Sequence, residues 1–233
     1  MSLWTPLDSF GRPNLLPGIS AYTDKITKEE ESSLILSFEE HGKQKCQCCG
    51  ASITKKMRRN LYVASRWWNA CPMCFYTENL DLIPDNNKGR LMYMPAFSQA
   101  RLNAMLRCFW AVTYFYSTEP ENMVLREMNS TVTQEINNLT SINEKSAQVH
   151  FSLADPEILS SMLYLVPKED YEKRHKLLTG IRWYPKKALF SDEIDYWARN
   201  DHSSLFPKET NGNISKFMSK YMDSNFAVRN MDD

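Results

Sequence analysis

Two Cys-x-x-C pairs, Cys46/Cys49 and Cys71/Cys74, frame the segment KCQCCGASITKKMRRNLYVASRWWNACPMCF. Each pair can turn two sulfurs toward one ion, and two pairs supply the tetrahedral thiolate set that zinc prefers. The 21 residues between the pairs suit a knuckle, two short strands and a second pair that opens a helix. Pro72 fits the first turn of that helix, and LYVAS reads as one of the strands. The expected cofactor is one structural Zn2+ on Cys46, Cys49, Cys71 and Cys74. Iron–sulfur ligation would call for more tightly packed cysteines. Cys48 reads as a spare thiol beside the site, since its use in place of Cys49 would distort the knuckle. Cys108 reads as a small buried hydrophobe.

The 233 residues suffice for one large domain, or for a core domain with a small appendage. With 42% apolar and 24% charged residues the composition is that of a soluble globular protein. The net charge is zero, so any electrostatic partner must be recognised by a local patch. The N-terminus lacks a basic region followed by an apolar run and does not read as a signal peptide. The longest apolar stretch, Leu102 to Tyr116, is interrupted by Arg107. It is shorter than the roughly 20 residues a spanning helix requires, so it reads as a buried amphipathic helix without membrane insertion. Cysteines without an export signal fit a reducing cytoplasm, where such pairs hold metal more often than they form disulfides.

The expected fold class is α+β: a mostly helical domain around a four-cysteine zinc module (residues 43–82) with short antiparallel strands. Residues 1–24 read as an extended N-terminal arm, 25–200 as the zinc-containing domain, and 201–233 as a polar tail. Thr27 and Glu30 suit a capping box for a helix ending at Gly42. Asp85-Asn86-Asn87-Lys88-Gly89 marks a turn before the strand RLMYMP, which Pro95 ends. Ser98 caps a helix with the stripe Leu102, Met105, Leu106, Phe109, Val112 and Tyr116. Residues 121–145 have helical character, but their Asn, Ser and Thr content argues against continuity. Asp155-Pro156 starts the next helix, and another is expected from Pro167 to a Gly180 C-cap. Ser191 is expected to cap the last helix of the domain. In the tail, Ile214, Phe217, Met218 and Tyr221 form an apolar stripe over 213–222.

Four thiolates close a coordination sphere and leave no open position for a hydrolytic water. A histidine-metal nuclease needs histidine near the knuckles to hold its metal and activate water, and the interval between the cysteine pairs contains none. The four histidines, His41, His150, His175 and His202, are scattered. His41 reads as a helix C-terminal dipole partner, or alternatively as a substitute for one thiolate. Asp192, Glu193 and Asp195 read as carboxylates at a helix start. There is no glycine-rich phosphate loop and no nucleophile elbow, so an enzyme is not expected. Lys55, Lys56, Arg58 and Arg59, with Trp67 and Trp68 nearby, have two readings. They form a solvated or protein-docking face, or they track nucleic acid as in a degenerate HNH-like zinc protein.

The stretch WNACPMCFYTENLDLIPDNNKGRLMYMPAFSQARLNAMLRCFWAV, together with LADPEILSSML and IRWYPKKALFSDEIDYWA, resembles the DotN (IcmJ) family. The resemblance spans roughly residues 40–200, and the Cys pattern and the Leu-Asn helix are its most specific parts. It implies a zinc-containing scaffold, HNH-like but without the catalytic histidines, in the coupling complex of a Dot/Icm type IVB secretion system. The family's metal ligands fall on Cys46, Cys49, Cys71 and Cys74. Its partners are the cytoplasmic tail of the DotL-like coupling ATPase, DotM-like and IcmS/IcmW-like proteins, in the cytoplasm and peripheral to the inner membrane. In such a complex Trp67, Trp68, Phe75, Phe217 and Tyr221 are the apolar side chains expected to anchor a partner. The N-terminal arm, Cys48 and the tail after Asn200 depart from the family pattern.

Overall fold

The computed structural model describes residues 12–22, 25–40, 44–151 and 154–202. In chain order its elements are α1 (Lys28–Glu40), β1 (Arg59–Val63), β2 (Arg66–Ala70), α2 (Pro72–Glu78), β3 (Arg90–Tyr93) and α3 (Gln99–Thr118). They continue with α4 (Met123–Phe151), α5 (Pro156–Tyr164), α6 (Lys168–Tyr171), α7 (Arg174–Leu177), β4 (Ile181–Tyr184) and α8 (Ser191–Asp201). The architecture is α+β, with the strands forming two separate antiparallel pairs, β1–β2 and β3–β4.

Local chemistry sets several of the helix starts. Thr27 and Glu30 form the reciprocal capping box: the Thr27 amide donates to Glu30 Oε2 (2.8 Å) and the Glu30 amide to Thr27 Oγ1 (3.2 Å). Ser98 Oγ accepts the Arg101 amide, and Asp155 Oδ1 accepts the Glu157 amide. Helix α3 then buries Leu102, Met105, Leu106, Phe109 and Val112, while Tyr116 is half-buried. Behind it Phe190 gathers an aromatic cluster, stacking on Trp110 (ring centroids 5.8 Å apart) and touching Trp197 and Trp183.

Several expectations are corrected. The strand read as LYVAS runs instead from Arg59 to Val63, and Ala64 and Ser65 form the hairpin turn with φ of 55° and 60°. The polar stretch after residue 121 is one unbroken 29-residue helix, α4. Its inward side carries Leu125, Met128, Val132 and Ala147, whose burial outweighs the weak helix propensity of its Asn, Ser and Thr residues. The helix expected from Pro167 to Gly180 is split into α6 and α7. Short-range bonds from the Lys173 amide to Asp170 O and from the Lys176 amide to Lys173 O tighten the chain there. Ser191 is the first helical residue of α8; the capping position belongs to Phe190, with no side-chain bond.

Residues 12–19 lack regular secondary structure and Ser20–Tyr22 form a short 3-10 turn, and the segment packs into the core where an extended arm was expected. Leu15, Leu16 and Ile19 are buried. The Gly18 amide donates to Thr77 O, the Leu80 amide to Gly18 O and the Leu16 amide to Glu78 Oε1. Arg174 Nη2 closes onto Glu78 Oε2 at 2.5 Å. The domain also runs past residue 200, because Asp201 completes α8 and bonds back to the cysteine module. His41, Gly42, residues 1–11 and the tail with Phe217, Tyr221 and the 213–222 stripe lie outside the described residues.

Candidate metal centre

The first cysteine pair sits in a tight knuckle. Gly50 donates its amide to Cys46 O (2.9 Å) and takes φ of +75°, a left-handed turn that glycine adopts without strain. The Cys46 amide donates to Ala51 O, and the Lys45–Ser52 bridge closes the loop. The second pair is delivered by β2 and α2: Cys71 is the N-cap residue of α2 and Cys74 lies in its first turn, behind Pro72. Asn69 fastens the two halves together. Its amide donates to Gln47 Oε1, its carbonyl accepts the Gln47 amide, and its Nδ2 reaches Leu34 O on α1.

The four sulfurs of Cys46, Cys49, Cys71 and Cys74 lie within 4.8 Å of one another, with Cys49 Sγ and Cys71 Sγ 3.6 Å apart. Zinc–sulfur bonds of about 2.3 Å at tetrahedral angles place sulfurs about 3.8 Å apart, so the cluster has the dimensions of a metal cage. Cys46, Cys71 and Cys74 are buried and Cys49 is half-buried. Among the described residues no histidine or carboxylate joins them.

Helix α3 forms the wall behind the sulfurs. Arg107 Nη1 donates to Cys49 Sγ at 3.1 Å, and its Nη2 is 3.5 Å from Cys49 O. One turn earlier, Asn103 Nδ2 lies 3.5 Å from Cys74 Sγ. Arg107 is only 4% exposed, and its guanidinium also faces the Trp197 ring at 5.8 Å. Burial acts against its charge, but Cys49, Cys71 and Asp201 outweigh that and hold it protonated more firmly than a free arginine. Burial pushes the Cys71 and Cys74 thiols well up. Cys46 is lowered, its burial being overcome by hydrogen bonds from the surrounding thiols. Cys49 is also lowered: its bond with Cys46 acts upward, but Cys71, Cys74 and the charge of Arg107 prevail. A buried group of this kind resists carrying four negative charges by itself; a dication, if held there, and the Arg107 guanidinium would together offset them.

Helix α8 holds the knuckle from the other side. The Asp201 carboxylate accepts the Ser52 amide (2.9 Å), Ser52 Oγ (2.6 Å) and Lys45 Nζ (2.8 Å), and Trp197 Nε1 donates to Ser52 O. Arg107, Asn103, Asn69 and Asp201 were absent from the sequence-based site. Arg107 did leave a signal, since a cation inside an apolar helical run must find buried counter-charge, and thiolates are such a charge.

The other expected residues separate. Cys48 is fully buried, and its thiol bonds with Cys46 and Cys74 without joining the four-sulfur group; the bond with Cys46 pushes it up. Cys108 is buried in α3. Trp68 is 5% exposed, beneath the Arg66 guanidinium, with Nε1 donating to Val63 O. It is a core residue, which corrects its assignment as a partner anchor. Trp67 and Phe75 are half-buried. Of the basic group only Lys55 and Lys56 are exposed. Arg58 Nη1 is bonded to Asn60 and Asn69, and Arg59 Nη1 to the Lys56 and Arg58 carbonyls. Asp192 and Glu193 occupy the first turn of α8, and Asp195 pairs with Arg199.

Over 132 residues the chain is 26% identical to type 4 apparatus protein DotN of Legionella pneumophila. Over this stretch the chain is similar to DotN. The match takes in 55% of the chain and 56% of DotN, so the chain spans just over half the length of this curated relative. No protein-family model matches the chain. No described helix is long and apolar enough to cross a membrane.

Proposed function

We propose that the chain is a zinc-stapled, non-enzymatic subunit of a Dot/Icm-type secretion coupling complex. In it the chain binds the cytoplasmic tail of the coupling ATPase and supports effector recruitment, peripheral to the inner membrane. The observation that carries the metal part is the closed group of four sulfurs with Arg107 behind it. Four thiolates satisfy a tetrahedral zinc and leave no site for a reacting water. What zinc supplies here is a cross-link between the knuckle and α2. The assignment to a secretion complex rests on the likeness to DotN. The nucleic-acid alternative has less support, because the Arg58 and Arg59 guanidinium groups are engaged by Asn60, Asn69 and neighbouring backbone carbonyls.

Elemental analysis of purified protein is expected to give one zinc per chain. Cys71→Ser is expected to lose the metal and the cooperative melt, since metal-binding energy is folding energy in such modules. Zinc-free protein with an unchanged melt refutes the metal reading. Affinity capture with a recombinant coupling-ATPase tail tests the partner: a saturable complex is expected, and its absence with zinc-loaded protein refutes that reading alone.

A further inference from the structure

Helix α4 turns an unusual face outward. From Met128 to Asn143 its sole charged residue is Glu135, and the outward positions include Ser130, Gln134, Asn138 and Ser141. A solvent-facing helix is ordinarily supported by charged side chains and i,i+4 ion pairs; one this rich in Asn, Ser and Thr has neither that support nor high propensity. Hydroxyls on the helix are also satisfied internally: Thr131 Oγ1 donates to Glu127 O and Ser141 Oγ to Asn138 O. Covering these hydroxyls removes few hydrogen bonds to water, whereas the exposed Gln134 and Asn138 amides require partners across the interface. Charge depletion is the compositional mark of an interface core.

The order of residues along this face names the occupant. Glu127 and Lys145 lie 18 residues apart, about five helical turns and about 27 Å, and so share one side of the helix. Outside them on the same side are Met123 and Val149, 78% and 80% exposed. Inside them are Gln134 and Asn138. The series apolar, acid, amide, amide, base, apolar is complementary to itself when reversed. With a two-fold axis on this side of the helix, midway between Gln134 and Asn138, Met123 meets Val149 of the second copy, Glu127 meets Lys145, and Gln134 meets Asn138; symmetry then makes each contact twice. A parallel arrangement would set like charges side by side.

We propose that the outer face of α4 is a self-association surface, occupied by α4 of a second copy of this chain in antiparallel register. The surface is remote in sequence from the cysteines and contains none of the four candidate metal-binding residues.

Light scattering on the full zinc-loaded chain is expected to show a concentration-dependent dimer. Glu127→Lys and Lys145→Glu each set like charges opposite one another twice and are expected to weaken the dimer by about tenfold or more. The double exchange Glu127→Lys/Lys145→Glu restores the pairing and is expected to recover wild-type association. Asn138→Arg, which buries charge near the axis, is expected to give monomer. Circular dichroism matching the wild type verifies that each variant is folded. A wild-type monomer up to roughly 100 μM overturns the proposal, as does a dimer indifferent to both single reversals or one the double exchange fails to rescue.

Discussion

Replacing Arg107 by methionine tests the electrostatic reading of the metal centre most directly. Methionine keeps much of the side chain's apolar stem and removes the guanidinium. In the native site that group donates to Cys49 Sγ at 3.1 Å and is buried against Trp197. At about 4 Å separation and an effective dielectric of 20, one unit-charge pair is worth about 4 kcal/mol. Desolvation of the arginine consumes part of this gain, but removing one member of a buried pair leaves the other uncompensated, typically a loss of about 3–5 kcal/mol. A zinc–tetrathiolate group, as proposed, would carry a formal charge of about −2, so the loss should fall on metal affinity and folding alike. Urea unfolding is expected to show a loss of about 3 kcal/mol. A chelator competition is expected to show zinc released at lower chelator concentration. Arg107→Lys should recover only part, since an ammonium lacks the fork that reaches both the sulfur and the carbonyl of Cys49. A methionine variant that holds zinc as tightly and unfolds at the same urea concentration would refute the reasoning, leaving Arg107 as a packing residue.

Two further perturbations address the elements around the site. Asp201 is held below its ordinary value: burial acts upward, but the bonds from Lys45 and Ser52 and the charge of Arg107 prevail. A carboxylate depressed by folding contributes stability that is present above its unfolded value of about 3.9 and is lost as pH falls through its lower folded value. Asp201→Ala is therefore expected to cost about 2–4 kcal/mol at neutral pH and to flatten the acid limb of the stability profile below about pH 4; an unchanged limb counts against the clamp. In the β1–β2 turn, Ala64 and Ser65 both have positive φ, where a side chain costs about 1–2 kcal/mol. Ala64→Asn with Ser65→Gly supplies the residues a two-residue hairpin favours and is expected to raise the melting temperature by several degrees. No rise, in variants with intact zinc content, would mean the strain is not real.

The cysteine spacing revealed the module because the chemistry is local: each pair is a turn, and thiolates at that spacing have few other uses. The capping residues Thr27, Ser98 and Asp155 were legible for the same reason. What failed was whatever depends on distant partners. The Ala64-Ser65 turn carries no glycine or asparagine, so β1 was extended through it. Helix α4 was doubted because propensity is read residue by residue, whereas its continuity comes from an inward stripe packed on α3 and β3. Trp67 and Trp68 share one expectation as partner anchors because only the hairpin's fold shows which of two adjacent tryptophans turns inward. Leu15, Leu16 and Ile19 were assigned to an arm because the prolines around them mask the apolar spacing. Their burial depends on Glu78 and Tyr171, which lie far along the chain.

The same long-range dependence explains how a small metal site can organise a much larger surface. The knuckle is fixed by Asp201 and Trp197 at one end of the domain and by Asn69 to α1 at another. Arg107 and Asn103 tie it to α3, the helix on which both α4 and α8 pack. Loss of the ion would leave Arg107 buried beside thiols that tend to protonate, and the charge complementarity holding α3 against the knuckle would weaken. The disturbance would then reach α8 through the Trp197 ring and α4 through their shared helix. A metal held by these four sulfurs would set the relative placement of faces that lie outside its own module, which is what the proposed docking role requires.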